Sequence, residues 1–284
     1  MSSEKASANY QLKCKDHTVS GNEYELRYDQ KRDMLVTFPQ PTLEELPEFY
    51  KSENYISHTD SSSSLFEKIY QWVKTYMIDK KIKWIEKEAA KGKDLLDIGA
   101  GTGDFLFRAK SRGWNVKGTE PNFRARELAL KKGVNLAEDS LNFPSASFDV
   151  ITMWHVLEHI PNLEEQIMEL TRLLKKDGLL VIAAPNFKSY DAGKFKNFWA
   201  AYDVPRHLWH FSRTSIHNIF EPHGFKIEKT RGLEFDAFYV SLLSAKYKSG
   251  SNFSISALFT GLLSNLKAKS TKEYSSVAYF LQKN

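Results

Sequence analysis

The run Asp97-Ile98-Gly99-Ala100-Gly101-Thr102-Gly103-Asp104 sets a carboxylate and closely spaced glycines behind an apolar stretch and ahead of a helical pattern. Glycines there permit backbone turns closed to residues with a Cβ, and they let a ligand approach the main chain. The helix that follows presents unpaired N–H groups at its start. Glu120 ends the next apolar run, where a carboxylate can accept two hydrogen bonds from a ribose diol. Together these residues read as a nucleoside grip.

Two other readings of the turn compete. A dinucleotide site needs the spacing G-x-G-x-x-G, whereas Gly99, Gly101 and Gly103 follow G-x-G-x-G. Asp97 also suits a cationic amino-acid group better than a pyrophosphate, and no second mononucleotide half follows. A turn with a structural role alone is the other reading, and it leaves Glu120 unexplained.

The elements that must position these residues alternate in period. Leu95–Ile98, Trp114–Thr119, Val134–Ala137, Phe148–Met153, Leu179–Ala184 and Gly224–Thr230 read as strands, separated by helices that include 163–174 and 214–222. Such β-α-β succession predicts a doubly wound parallel sheet with helices on both faces. Ser275–Gln282 is apolar and β-rich and reads as a last strand. Ahead of the core, residues 10–38 read as a small hairpin, closed by Pro39 and Pro41. Thr42 and Glu45 have capping-box spacing for a short helix carrying Phe49 and Tyr50. Ser64 and Glu67 repeat that box before a long helix whose apolar face is Phe66, Ile69, Tyr70, Val73, Tyr76 and Met77.

Composition bounds the partners. Of 284 residues, 42% are hydrophobic and 13% aromatic, enough for a real core. Forty basic against 35 acidic residues leave a net charge of +5, which permits an anionic substrate or membrane surface and argues against nucleic acid. Cys14 is the one cysteine, so no internal disulfide or cysteine-built zinc site forms, and a reducing cytoplasm is expected. The N-terminal residues lack a secretion-signal pattern, and no apolar run is long enough to span a membrane.

The runs LLDIGAGTGDF, GTEPN, FPSASFDVITMWHVLEHIPN and LLKKDGLLVIAAPN resemble those of the class I methyltransferase superfamily. The resemblance covers about residues 60–231 and the terminal strand. It implies an α/β, Rossmann-like sheet of seven strands with the last antiparallel, binding S-adenosylmethionine and releasing S-adenosylhomocysteine. Carried over by position, Asp97, Gly99, Ala100, Gly101 and Gly103 would line the methionine and ribose end, and Glu120 would hold the ribose hydroxyls. Pro121 would flank the adenine, and Glu138 or Asp139 would reach its amino group. Trp154 and His155 would lie beside the transferable methyl. Tyr55 and His58 resemble residues of a lid in bacterial relatives, and some relatives carry a cysteine-pair ribbon that Cys14 alone cannot complete.

Methyl transfer from a sulfonium needs no enzyme nucleophile, only alignment, exclusion of water and sometimes a base. The chain lacks the Asn/Asp-Pro-Pro-Tyr pattern that resembles amino-methylating enzymes, and Cys14 is misplaced for carbon-5 pyrimidine chemistry. Its motif is closest to small-molecule O-methyltransferases of the ubiquinone-biosynthesis type, in which a Glu-x-x-Glu-His run follows the fourth strand and sometimes carries a divalent ion. Here His155 replaces the first Glu, while Glu158 and His159 remain. The spacing could converge on a metal, but structural hydrogen bonding is the favoured expectation and no metal is assigned. The run Asp203 to Ser212 falls where the acceptor side of the pocket is built. His207 is the candidate base, with Arg206 able to meet either an anionic group or Asp203.

This organisation predicts three parts: residues 1–60 as hairpin and lid, 61–232 with 273–284 as the core, and 233–272 as an apolar helical insertion. The insertion emerges beside the acceptor pocket, because a parallel strand ends on that face. It could be simple packing, a lid over a hydrophobic acceptor, or a contact with anionic lipid. The function expected is methyl transfer to a small, apolar acceptor, O-directed. An RNA or protein methyltransferase and a non-catalytic cofactor-binding or membrane-interaction module are the alternatives. Acceptor and oligomeric state are open.

Overall fold

A computed structural model describes residues 11–50, 65–89, 92–251 and 254–283. The central sheet has six strands: β4 (Asp94–Ile98), β5 (Asn115–Thr119), β6 (Phe148–Trp154), β7 (Leu174–Pro185), β9 (Phe225–Gly232) and β10 (Ser276–Lys283). Their order is β5-β4-β6-β7-β10-β9. β4 pairs in parallel with β5 and β6, and β6 with β7. β10 runs antiparallel to both β7 and β9, as the family resemblance implies for the last strand.

The expected strand at Val134–Ala137 does not form. Only Ala137 bridges to Thr119, through Ala137 N–H to the Gly118 carbonyl and Glu120 N–H to the Ala137 carbonyl. Gly133 turns the chain into this segment at φ +77°. Asp139 then caps the Leu141 N–H and turns it away, leaving too little extended chain for a ladder.

Helices cover both faces because alternate strand residues are apolar on each side. One face buries Ile151, Met153 and Leu180 under α4 (Leu163–Leu173) and α6 (Arg213–Phe220). The other buries Leu95, Val150 and Val181 under α1 (Leu65–Glu88), α2 (Asp104–Lys110) and α3 (Phe123–Lys131). In α1 the buried stripe is Met77, Ile82, Trp84 and Ile85, whereas Tyr76, expected inside, is 44% exposed. The side chains of Phe66, Ile69 and Tyr70 and the box at Ser64 lie outside the described residues.

The N-terminal segment forms more than a hairpin. β1 (Gln11–Lys15), β2 (Glu23–Asp29) and β3 (Met34–Phe38) make an antiparallel sheet, completed by β8 (Trp209–His210). Cys14 is buried there, and burial pushes its thiol up to about 12, which removes it as a nucleophile. Thr42 and Glu45 do form their reciprocal cap, opening a 3₁₀ turn at Leu46–Tyr50. After β7 come α5 (Tyr190–Phe195) and two 3₁₀ turns, absent from the sequence reading, which pack with this sheet around Trp199 and Tyr202. The insertion is two helices, α7 (Glu234–Ser249) and α8 (Ile255–Thr271).

Candidate active site

β4 and β6 lie side by side, and their C-terminal ends carry the first half of the site. Asp97 at the end of β4 is 3% exposed and accepts a 2.6 Å hydrogen bond from Thr152 Oγ1 of β6. Burial lifts its carboxyl to about 7, against the opposing pull of Thr152 and of Lys81. A buried carboxylate in this state calls for a cation beside it.

The glycine turn follows, with Gly99, Gly101 and Gly103 all in the left-handed region at φ +69°, +54° and +76°. A Cβ at Gly99 would strike Val156 at 2.5 Å, whereas one at Gly101 meets nothing within 4 Å. Gly99 is therefore required by packing, and Gly101 faces open space. Ala100 N–H holds the turn to the Thr119 carbonyl. Glu120 is 9% exposed, and its carboxylate accepts N–H bonds from Gly101 and Asn122, each 2.9 Å long. Each oxygen keeps a lone pair for a further donor. The acidic grip, the open glycine cradle and the fixed Glu120 fit a nucleoside that carries an amino-acid cation.

Other expected contacts are present but otherwise engaged. Arg126 bonds the carbonyls of Glu120 and Pro121 and pairs with Glu138 at 3.2 Å. Asp139 is exposed and occupied by its own cap. Trp154 packs edge-on against Phe105, and its buried Nε1 has no hydrogen-bond partner. Tyr55 and His58 lie outside the described residues.

The second half gathers around Glu158. This residue is 1% exposed, and neither carboxylate oxygen has a hydrogen-bond partner. Burial alone would raise its pKa, but the charged His155 imidazole beside it holds it well below the usual carboxylate range. His159 and His207 stack edge-to-face with ring centroids 4.6 Å apart. His207 Nδ1 lies 2.8 Å from the Ala201 carbonyl, which can only accept and so assigns a proton to Nδ1, while Nε2 lies 3.8 Å from Asp203 Oδ2. His159 Nδ1 is bracketed by Tyr50 Oη at 2.9 Å and the Arg206 carbonyl at 3.1 Å. Burial and the neighbouring His207 drop His159 to about 4, so its ring is neutral near physiological pH.

The chain thus brings Glu158, His159 and His207 together, with ligand atoms within 4.8 Å of one another. These three could hold a metal ion, with His207 in place of the His155 that local spacing suggested. Arg206 does not face this cluster with a free charge: its Nη2 donates to Asp203 at 2.6 Å, the structural alternative. His210, in the same run, bonds Thr37 as part of the β3–β8 pairing.

His155 ties the Glu158 half to the insertion. Its backbone is left-handed at φ +59°, which turns the ring so that Nδ1 lies 3.5 Å from Glu158 and Nε2 3.0 Å from Asp236 of α7. Asp236 and Lys81 were not anticipated from sequence. Lys81 Nζ sits 4.3 Å over the Trp154 ring, and burial lowers its pKa against the pull of Asp236 and Asp97. Both carried a signal. Lys81 follows Met77 by one turn on a buried helical stripe, and Asp236 is a lone carboxylate between Phe235 and Phe238.

A model of the methyltransferase domain matches residues 72–230. The chain belongs to this family. It is 32% identical over 117 residues to a ubiquinone biosynthesis O-methyltransferase of Pseudomonas aeruginosa, covering 37% of this chain and 50% of that one. It is 29% identical over 143 residues to a ubiquinone/menaquinone biosynthesis C-methyltransferase of Brucella anthropi, covering 45% and 54%. The chain therefore spans about half the length of the curated relatives it matches. Among solved structures, magnesium protoporphyrin IX methyltransferase of Synechocystis with bound S-adenosylhomocysteine superposes with a TM-score of 0.56 at 14% identity, over 85% of this chain and 100% of that one. At that identity the likeness shows the methyltransferase fold.

Proposed function

We propose that the chain is an S-adenosylmethionine-dependent methyltransferase acting on a hydroxyl of a small, apolar acceptor. The observation that carries this reading is the buried Asp97 beside the open Gly101 cradle, on the same chain as the Glu158–His159–His207 cluster that follows β6. S-adenosylmethionine supplies a methyl group on a sulfonium, and its departure leaves a neutral thioether. Asp97 would receive the methionine ammonium and Glu120 the ribose diol. Glu138, Asp139 and Pro121 would frame the adenine, with the Arg126–Glu138 pair rearranging to admit it.

On the acceptor side, an O–CH₃ bond forms as the C–S bond breaks, and the hydroxyl proton needs a destination. His207 Nε2 is the base, because its Nδ1 is spoken for by Ala201. Asp203, whose Oδ2 lies 3.8 Å from that nitrogen, and the buried Glu158, shared with His155, would stabilise the imidazolium that results. His159 and Arg206 hold the loop. Relatives named for ubiquinone and menaquinone biosynthesis support a quinol-type acceptor. An O-methylation assay with methyl-labelled cofactor against a panel of catechols and hydroquinones bearing apolar tails tests this. Label transferred to oxygen supports it; label on carbon or nitrogen, or no transfer to any member, contradicts it.

A further inference from the structure

Helix α8 is built inside out. Its inward side chains are Ala257, Thr260, Gly261, Ser264 and Ala268, all buried. Its large apolar side chains point outward: Ile255 is 64% exposed, Phe259 61%, Leu262 44%, Leu263 43% and Leu266 49%. At 3.6 residues per turn the outward set falls within an arc of about 100°, centred roughly opposite the buried set.

The inward choice is explained by the packing. A Cβ at Gly261 would lie 2.9 Å from the Ala237 carbonyl of α7, so the two helices cross at close range. Ser264 donates a 2.6 Å hydrogen bond to Asp191, which also receives Trp199 Nε1 and the Ser275 hydroxyl. The orientation is therefore fixed by a buried polar anchor, and rotating the leucines inward would break it. Nothing among the described residues covers the outward arc, and a contiguous apolar stripe of this kind on a protein surface marks a contact site.

Charge identifies the occupant. α8 contains no Asp or Glu, and Lys267 and Lys269 flank the arc on its two sides. Exposed Lys246 and Lys248 close the neighbouring end of α7. A helix with an apolar stripe and basic flanks suits the boundary between acyl chains and anionic headgroups, the stripe inserting and the lysines meeting phosphate. We infer that α8 seats the protein on the surface of an anionic lipid bilayer. α7, directly beneath, carries Asp236 to the active site, so the contact lies one helix away from the acceptor position.

The inference is independent of methyl transfer, since binding is read without turnover. Co-sedimentation with phosphatidylcholine vesicles, with and without phosphatidylglycerol, tests it on the full chain. Expected are partition onto the anionic vesicles, weakening at high salt, and a loss of about tenfold or more in both F259S/L263S and K267E/K269E. Circular dichroism checks that these exposed substitutions leave the fold intact, and the lysine pair stands if the apolar pair does not fold. No partition onto either vesicle, or undiminished partition of the folded variants, overturns the inference. So does light scattering that shows a dimer dispersed by F259S/L263S, which would make the arc a contact between copies of this chain.

Discussion

His155 Nε2 and Asp236 Oδ2 lie 3.0 Å apart, and this contact ties the loop after β6 to the first turn of the insertion. Burial alone would lower the imidazole, but Asp236 and Glu158 outweigh it and raise His155 to about 9. A raised value means that the charged ring stabilises the fold fully below the ordinary imidazole range. That contribution disappears as pH rises through about 9. In D236N the His155 titration, followed by NMR, moves down by about one pH unit or more, and the loss of stability on the alkaline side becomes shallower. An unmoved midpoint would mean the pair is not formed.

Asp97 gives a pH signature of the opposite kind. Its carboxyl titrates at about 7, so below that pH the free protein holds a proton that a cationic ligand must displace. The dissociation constant for S-adenosylhomocysteine should rise by up to about tenfold for each pH unit below 7, with a proton released on binding. D97N should bind weakly and without that slope. A flat profile in the unaltered protein would show that Asp97 does not meet the ammonium.

Gly101 separates ligand space from packing. G101A meets no atom within 4 Å, so its folding cost is the left-handed backbone alone, about 1–2 kcal/mol. The new methyl occupies the cradle, so cofactor affinity falls separately from that folding cost, by about tenfold or more. A thermal melt and a binding titration on the same variant separate the effects. Unchanged affinity would remove Gly101 from the site.

His207 separates proton transfer from metal chemistry. As a base, its replacement in H207Q lowers kcat by about 10²–10⁴-fold with little change in KM, and a chelator leaves the unaltered protein active. Loss of turnover with a chelator, restored by a divalent ion, would make Glu158, His159 and His207 ligands instead.

The nucleoside half was legible in sequence because it is local: Asp97, the glycines and Glu120 sit at strand ends within one β-α-β unit. The acceptor half was legible only as two separate runs. Local spacing grouped His155 with Glu158 and His159, but the left-handed backbone at His155 swings its ring towards Asp236, and His207 enters from a distant loop. β8 escaped notice because two residues paired to β3 carry no periodicity. The strand at Val134–Ala137 failed for the converse reason: apolar residues suggested a ladder that the flanking turns at Gly133 and Asp139 cut short. Lys81 shows what a pattern of apolar positions leaves out, since its own place on the buried stripe was the informative feature.

Calorimetry with S-adenosylmethionine and S-adenosylhomocysteine tests the central claim most directly. Saturable binding of both at one site is predicted, with E120A weakened by about 10–100-fold through loss of charge-assisted hydrogen bonds to the ribose. Absence of binding to either compound, in protein shown to be folded, would contradict it.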